Sequence, residues 1–233
     1  MDEGRARGPL DLLKKAFGRP RLERRLAPLD ELILTVLSQH TSDVNRDRAY
    51  ESLRGRYPRW EDVLQARRVE VERAIRAGGL ARTKSRVIQE ILRRVLEDQG
   101  RLDLEALRTM PLAEARAYLL GLRGVGEKTA CCVLLFACGR PAFPVDTHIH
   151  RIARRFGWVP PGATPQRTHA ILADLFPKAR YLEAHLNLIR LGRRVCGARA
   201  PRCPVCPLRR LCRYASRGRS EYWAGSRSGR RGA

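Results

Sequence analysis

Acidic residues and aromatic residues are both scarce in this sequence. Its 233 residues include 24 Asp and Glu against 47 Lys and Arg, which gives a formal net charge of +23. An excess of this size predicts a polyanionic partner, most simply a nucleic acid, although an anionic membrane surface would also attract it. Aromatic residues make up 6% of the chain. That fraction is low for a fold that stacks bases on rows of aromatic side chains, so such folds are disfavoured.

Long apolar runs are also missing. No stretch of 18 apolar residues could span a bilayer, and residues 1–7 carry charges without the apolar core of an export signal. The seven cysteines are an odd number, which argues against a disulfide framework and favours reduced thiols or a metal centre. We therefore expect a cytoplasmic protein with no membrane partner.

Helical periodicity runs along most of the chain, and no window alternates with the period of two that marks strands. One apolar stripe follows Pro28, and a second marks a helix that ends near Asp98. We predict an all-α fold. The predicted helices cover 28–37, 43–54, 60–65, 68–77, 112–120, 146–156, 165–176 and 180–191, with one more between the break at Gly78-Gly79-Leu80 and about residue 98 and one after the Gly124–Gly126 hairpin. A short amphipathic segment covers 10–17. Residues 217–233, rich in Arg, Ser and Gly, are predicted to be a disordered basic tail.

A glycine hairpin precedes one of these helices. Gly124 and Gly126 bracket Val125, and glycine allows the positive φ angles of a tight turn. Backbone N–H groups at the start of the next helix make a seat for a phosphate. Lys128 lies in that first turn, where it is either a solvated helix lysine or a nucleophile. The second reading needs the neutral amine, and the positive end of a helix disfavours a cation.

Asp146 is predicted to cap the helix that follows it. A capped carboxylate accepts a backbone hydrogen bond, is held rigidly and stays ionised. Capping is therefore compatible with a second role, the stabilisation of a nearby positive charge or the transfer of protons. The adjacent His148 and His150 are predicted to pack or to face phosphates rather than to catalyse.

Four cysteines near the end of the chain have metal-site spacing: Cys196-x6-Cys203-x2-Cys206-x5-Cys212. Four thiolates so close together can ligate a [4Fe–4S] cluster. Zinc and unligated thiols are the alternatives, although structural zinc sites usually pair two short knuckles and only one is present. The remaining cysteines, 131, 132 and 138, are predicted to be small buried core thiols.

The hairpin with Lys128, the stretch Val145-Asp146-Thr147-His148-Ile149 and the four-cysteine run together resemble the endonuclease III family of DNA glycosylases. The motifs occur in the family's order, and the resemblance covers roughly residues 28–215. It implies two lobes. A six-helix barrel with a helix–hairpin–helix motif would span 22–140, and a [4Fe–4S] lobe would combine 1–21 with 141–216.

The resemblance also implies a function. The chain would be a monomeric, nucleoid-associated DNA glycosylase/AP lyase that removes oxidised pyrimidines from damaged double-stranded DNA. Lys128 would attack the sugar and Asp146 would support the developing charge, while Gly124, Val125 and Gly126 would hold a phosphate. Arg199 and Arg202, in the cysteine run, would touch phosphates.

In similar glycosylases, two loops fill the hole left by the extruded base. Leu80 matches the apolar residue of one loop well, and an ordinary loop leucine is the alternative. The polar residue of the other loop is Gln39 or His40, because the family commonly has Gln near the position of His40. Arg123 stands where the family usually has proline, which should leave the turn intact and add a charge near the phosphate.

Two rival functions remain at this point. One is a cluster-bearing glycosylase of different base preference, such as the mismatch-adenine type, which usually lacks a lysine at position 128. The other is a helix–hairpin–helix paralogue that binds DNA without catalysis. Such a protein would need neither Lys128 nor Asp146.

Overall fold

The structure, a computed structural model, describes residues 4–22 and 25–216. Within these residues every regular element is helical and no strand occurs, so the all-α prediction is confirmed there. The predicted disorder of residues 217–233 lies outside the described residues. None of the described helices has the length and hydrophobicity that a bilayer span requires.

The chain separates into two compact units. One lies within Arg24–Arg140 and is called the hairpin unit here. The other combines segments from both ends, within Met1–Glu23 and Pro141–Ala233, and is called the cysteine unit.

Eleven helices of six or more residues are described, most of them close to the predicted bounds. They are α1 (Gly4–Phe17), α2 (Pro28–Leu37), α3 (Asp43–Arg56), α4 (Trp60–Gln65), α5 (Arg68–Ala74), α6 (Ala81–Gln99), α7 (Leu112–Gly121), α8 (Glu127–Cys132), α9 (Thr147–Phe156), α10 (Pro165–Leu175) and α11 (Tyr181–Arg194). The largest difference is α1, which begins well before residue 10. Its buried stripe starts at Ala6 and continues through Leu10 and Leu13.

The core of the hairpin unit is formed by the two predicted stripes. α2 packs against α3, α6 and α8, and α6 also packs against α4 and α5. Residues 29, 32, 33, 36 and 37 of α2 and residues 88, 91, 92 and 95 of α6 are at most 1% exposed. Burying one such side chain stabilises the fold by roughly 1.5–3 kcal/mol. The loops between the helices extend from this packed core.

The hairpin helix ends in a turn that is wider than the α-helical turn predicted there. After Cys132 the chain forms a π-helical turn, Val133–Ala137, in which the N–H of Cys138 donates to the carbonyl of Val133 at 3.2 Å. The predicted apolar face is buried all the same, at residues 130, 133, 134 and 137.

In the cysteine unit, α9 packs against α10 and α11, and α11 packs against α1. The ring of Phe143 lies 5.1 Å from that of Phe176 and 5.2 Å from that of Tyr181, in edge-to-face contacts. The amide of Asn187 donates to the carbonyl of Gly18 at 3.0 Å, which ties the end of α1 to α11.

Candidate active site and metal centre

The hairpin turns at Gly124. Its φ is +78°, and a Cβ there would lie 2.8 Å from Cγ1 of Val87, so the position requires glycine for both conformation and space. Val125 is buried and donates its N–H to the carbonyl of Leu122 at 3.1 Å. The predicted positive φ of Gly126 is wrong. Gly126 is the extended N-cap of α8, with φ −96°, and a Cβ would meet open space.

Lys128 is the second residue of α8 and is half-buried. Its charge acts on Glu31 of α2, the helix that packs against α8. Burial raises the pKa of Glu31 to about 7, while the Thr35 hydroxyl, Lys128 and Arg46 oppose that rise. The Thr35 hydroxyl donates to Oε1 of Glu31 at 3.2 Å. A carboxyl group that changes charge near neutral pH therefore lies within electrostatic range of the candidate nucleophile.

The loop after α2 touches the hairpin through Gln39. Its side-chain amide donates to the carbonyl of Gly124 at 3.3 Å. His40 is exposed and has φ +54°. The structure thus brings Gln39, rather than His40, to the hairpin.

Leu80 lies in the loop before α6 and leaves 57% of its surface exposed. Its φ is +49°. His40 and Leu80 are the two non-glycine residues of the described chain with positive φ, a conformation that costs roughly 1–2 kcal/mol. Backbone strain of this kind concentrates at functional sites.

Lys84, which the sequence reading missed, lies under both loops. Its side chain is 2% exposed, and Nζ donates to the carbonyls of Leu37 and Gly78. The sequence does indicate that Lys84 is buried, because position 84 lies on the same helical face as Ile88, Ile91 and Val95.

Asp146 caps α9 as predicted. Its Oδ1 accepts the N–H of Ile149 at 2.8 Å. Nδ1 of His150 lies 2.8 Å from the hydroxyl of Thr168, and burial, followed by the charge of Arg154, lowers the pKa of His150. Nδ1 of His148 lies 3.0 Å from the guanidinium of Arg151. Both histidines therefore make packing contacts within the cysteine unit.

The four cysteines of the C-terminal run line one cavity. All four are half-buried thiols that form no disulfide. Burial, together with the neighbouring sulfurs of 196, 212 and 203, raises the pKa of Cys206 to about 11. Burial also raises the pKa of Cys212. The raised pKa values mean that these crowded thiols keep their protons in the absence of a metal. A bound metal would displace the protons and stabilise the thiolates, so this set of sulfurs is chemically suited to a metal centre.

Two arginines of α9 hold the start of the cysteine loop. Arg155 is 6% exposed and donates to Sγ of Cys196 at 3.3 Å and to the carbonyls of Gly197 and Ala198, both at 2.7 Å. Arg151 donates to the carbonyl of Cys196 at 2.8 Å. The sequence reading missed both, because arginines are abundant throughout this chain.

The remaining predicted residues are placed as follows. Arg199 and Arg202 are exposed, and the guanidinium of Arg202 donates to the carbonyl of Arg194. Cys131 and Cys132 are buried as predicted, whereas Cys138 is only half-buried. The thiol of Cys131 lies 3.5 Å from a carboxylate oxygen of Glu127, and burial raises its pKa.

Comparison with known proteins identifies the class. The model of the HhH-GPD superfamily base excision DNA repair proteins matches residues 33–178. The endonuclease III of Thermotoga maritima is 35% identical over 203 residues, which are 87% of this chain and 91% of that protein. The chain therefore belongs to the HhH-GPD superfamily of base excision DNA repair proteins, and within it to the endonuclease III family.

A solved structure and a plant protein are also similar to this chain. The solved structure of a trapped endonuclease III–DNA covalent intermediate, an estranged-adenine complex, matches with a TM-score of 0.80 and 32% identity, over 93% of this chain and 98% of that one. An Arabidopsis thaliana protein that carries the name of a DNA glycosylase is 44% identical over 149 residues. These are 64% of this chain and 51% of the Arabidopsis protein, so this chain spans about half the length of that relative.

Proposed function

We propose that this protein is a bifunctional DNA glycosylase/AP lyase of base excision repair that removes oxidised pyrimidines from duplex DNA. One observation carries the proposal. A turn fixed by Gly124 against Val87 leads directly into a helix whose second residue is the half-buried Lys128. Membership of the endonuclease III family and the match to a DNA-bound covalent intermediate support it.

DNA binding follows from charge and from the hairpin. The net charge of +23 attracts a polyanion, and neutralised phosphates release counterions. Gly124 and Gly126 would hold one backbone phosphate through their N–H groups, while Val125, whose N–H donates to the carbonyl of Leu122, would shape the turn before α8. We infer that one copy of the chain binds damaged double-stranded DNA, as a monomer at the nucleoid.

Base removal requires that the damaged nucleotide leave the stack. Leu80, with Gln39 or His40, would fill the gap. The neutral Nζ of Lys128 attacks the sugar C1′, so that a nitrogen–carbon bond forms while the bond from C1′ to the base breaks. The base departs with the bonding electrons and takes up a proton. The carboxylate of Asp146, held by the N–H of Ile149, stabilises the positive charge on the sugar.

Strand cleavage follows from the same lysine. After the attack the nitrogen carries two protons and a positive charge, and it loses one of them. Its lone pair then forms a double bond to C1′ while the bond from C1′ to the ring oxygen breaks and that oxygen takes up a proton, which gives a protonated Schiff base. The imine acidifies the C2′ proton. A general base then removes that proton. The electrons of the C2′–H bond form a C2′–C3′ double bond while the C3′–oxygen bond breaks, which releases the 3′ phosphate.

We further propose that Cys196, Cys203, Cys206 and Cys212 hold a [4Fe–4S] cluster in the cysteine unit. Bound there, the cluster would cross-link the loop and fold it, with no part in the reaction. Protein purified without oxygen should be brown, with about four irons per chain. Stoichiometric zinc without iron would contradict this assignment.

Borohydride trapping on an abasic duplex tests the nucleophile. Lys128→Gln keeps a polar chain of similar length, so DNA binding should persist while trapping and strand cleavage are abolished. Trapping at the wild-type rate would mean that another group is the nucleophile. Wild-type protein that binds this duplex but never traps would instead favour the non-catalytic paralogue.

Asp146→Asn tests the supporting carboxylate. Asparagine also caps helices, so the fold should survive. Single-turnover excision of thymine glycol should fall about 10²-fold, within the range of electrostatic and acid–base contributions. Cleavage of a preformed abasic site should fall much less, because its aldehyde already reacts with a well-placed amine. Equal losses on the two substrates would remove Asp146 from the base-removal step.

A further inference from the structure

Lys84 is a buried cation that the proposed reaction does not use. Its Nζ donates to the carbonyl of Leu37 at 2.7 Å and to that of Gly78 at 2.8 Å. Among the described residues no carboxylate pairs with it, and burial lowers the pKa of Lys84. A buried charge is costly unless it is hydrogen-bonded, so the two carbonyls are its essential partners.

Each carbonyl lies at the end of a helical segment. Leu37 is the last residue of α2, where carbonyls lack helical partners and carry partial negative charge. Gly78 ends the short 3₁₀ turn Arg76–Gly78. A Cβ on Gly78 would lie 3.1 Å from that of Ala49, so the turn is packed closely against α3. The ammonium therefore joins two helix ends that would otherwise be separate.

The two predicted DNA-filling loops begin at these carbonyls. Gln39 follows Leu37 by two residues, and Leu80 follows Gly78 by two residues. The loops also contain the two strained non-glycine positions, His40 and Leu80. One atom, Nζ of Lys84, thus fixes the starting point of both loops relative to each other.

We propose that Lys84 is a positioning residue that holds the two loops in one arrangement, so that Leu80 and the Gln39–His40 pair enter the duplex together. The inference rests on the proposed function, because it takes these side chains to fill the gap left by the extruded base. An ammonium suits the role because a single atom carries three donors and can serve two carbonyls at once. Lys84 itself does not touch DNA.

Gln89 of the same helix provides a matched control. Its amide donates to the carbonyls of Val63 and Ala66, at 3.0 and 2.8 Å, at the end of α4. It also bridges two buried carbonyls, but neither precedes a DNA-filling residue. Lys84→Met and Gln89→Met remove the same number of hydrogen bonds, which separates positioning from a general loss of packing.

The test is a fluorescence measurement that requires no cleavage. 2-Aminopurine is placed opposite a tetrahydrofuran abasic-site analogue, and its fluorescence rises when intruding side chains unstack it. At saturating protein, confirmed by anisotropy, wild type and Gln89→Met should raise the signal, and Lys84→Met should leave it near the level of free duplex. On cleavable substrates, Lys84→Met should lower excision of paired lesions about ten-fold or more while largely sparing abasic sites.

The outcomes are separable. If Lys84→Met does not fold, Lys84→Gln, which keeps a donor but is too short to serve both carbonyls, must show the same loss of signal. Wild-type fluorescence in a folded Lys84 variant, or equal losses in the Lys84 and Gln89 variants, overturns the inference. So does wild-type protein that never unstacks the probe. Wild-type protein that unstacks it but excises nothing refutes the proposed activity alone.

Discussion

The hairpin unit and the cysteine unit hold their candidate functional groups by different means. In the hairpin unit the loops rise from a dense apolar core, and backbone conformation at Gly124 and Leu80 sets their shape. In the cysteine unit the loop from Cys196 to Cys212 buries a single residue, Leu208. Arginine side chains bind its first carbonyls instead.

The difference bears on what each region needs in order to fold. The hairpin unit buries enough apolar side chains of its own to stabilise its fold, so its loops should keep their shape without a bound metal. The cysteine loop has little apolar surface to bury, and hydrogen bonds contribute modestly in net terms. It should therefore depend on metal for most of its order.

Removal of iron from the proposed cluster gives the largest expected contrast between the two units. Trypsin should then cut after arginines of the loop, at 199, 202, 209 and 210, on the order of 10²-fold faster or more, because the lost metal was the main source of its order. Cleavage within Arg24–Arg140 should not change. Mass spectrometry of the early fragments is the measurement, and a uniform rise across both units would contradict the contrast.

A pH-dependent cost in the hairpin unit is expected from Glu31. Its pKa in the folded state is raised to about 7 from an ordinary 4.5. The folded state therefore holds a proton that the unfolded chain has lost, and stability should fall as pH rises from 4.5 to about 7. The loss is at most about 3 kcal/mol. Below pH 4.5 both states are protonated and the cost is absent.

Glu31→Gln should remove this dependence. At pH 8 the variant should be more stable than wild type by up to about 3 kcal/mol, and at pH 4 the two should be equal. Hydrogen exchange of peptides from α2 measures the effect, with α9 of the cysteine unit as the internal reference. The same difference at both pH values would mean that folding leaves the pKa of Glu31 unchanged.

The smallest expected effect compares the two hairpin glycines. Gly124→Ala adds strain at φ +78° and a contact at 2.8 Å with Val87, and should cost about 2 kcal/mol. Gly126→Ala adds a methyl group in open space at φ −96°, so it should stabilise the fold slightly, by less than about 1 kcal/mol. Urea unfolding is the measurement. Equal costs would show that the turn depends on both glycines.

Sequence periodicity predicted the helices well because burial imposes it directly. The stripes of α2 and α6 and the cap at Asp146 are local patterns, each readable within a few residues. The π-helical turn Val133–Ala137 was not predicted, since its residues also fit an α-helix. The two hairpin glycines look alike in sequence, and only the structure separates the strained Gly124 from the extended Gly126.

The groups missed at the candidate site depend on contacts between distant residues. Lys84 binds a carbonyl 47 residues away, and Glu31 is buried among groups from α2 and other helices. Helical spacing places Lys84 on the buried face of α6, but neither its carbonyl partners nor the burial of Glu31 follows from composition or spacing. In a chain with 47 basic residues, the buried lysine is also hidden among many exposed cations.

The positive φ angles of His40 and Leu80 have an evolutionary consequence. A library selected for heat resistance alone should replace both residues with glycine or asparagine, because each change relieves about 1 kcal/mol of strain. A library selected for repair in living cells should retain the side chains proposed to fill the gap in the duplex and tolerate the less stable fold. The divergence between the two libraries at positions 40 and 80 would report the functional constraint directly.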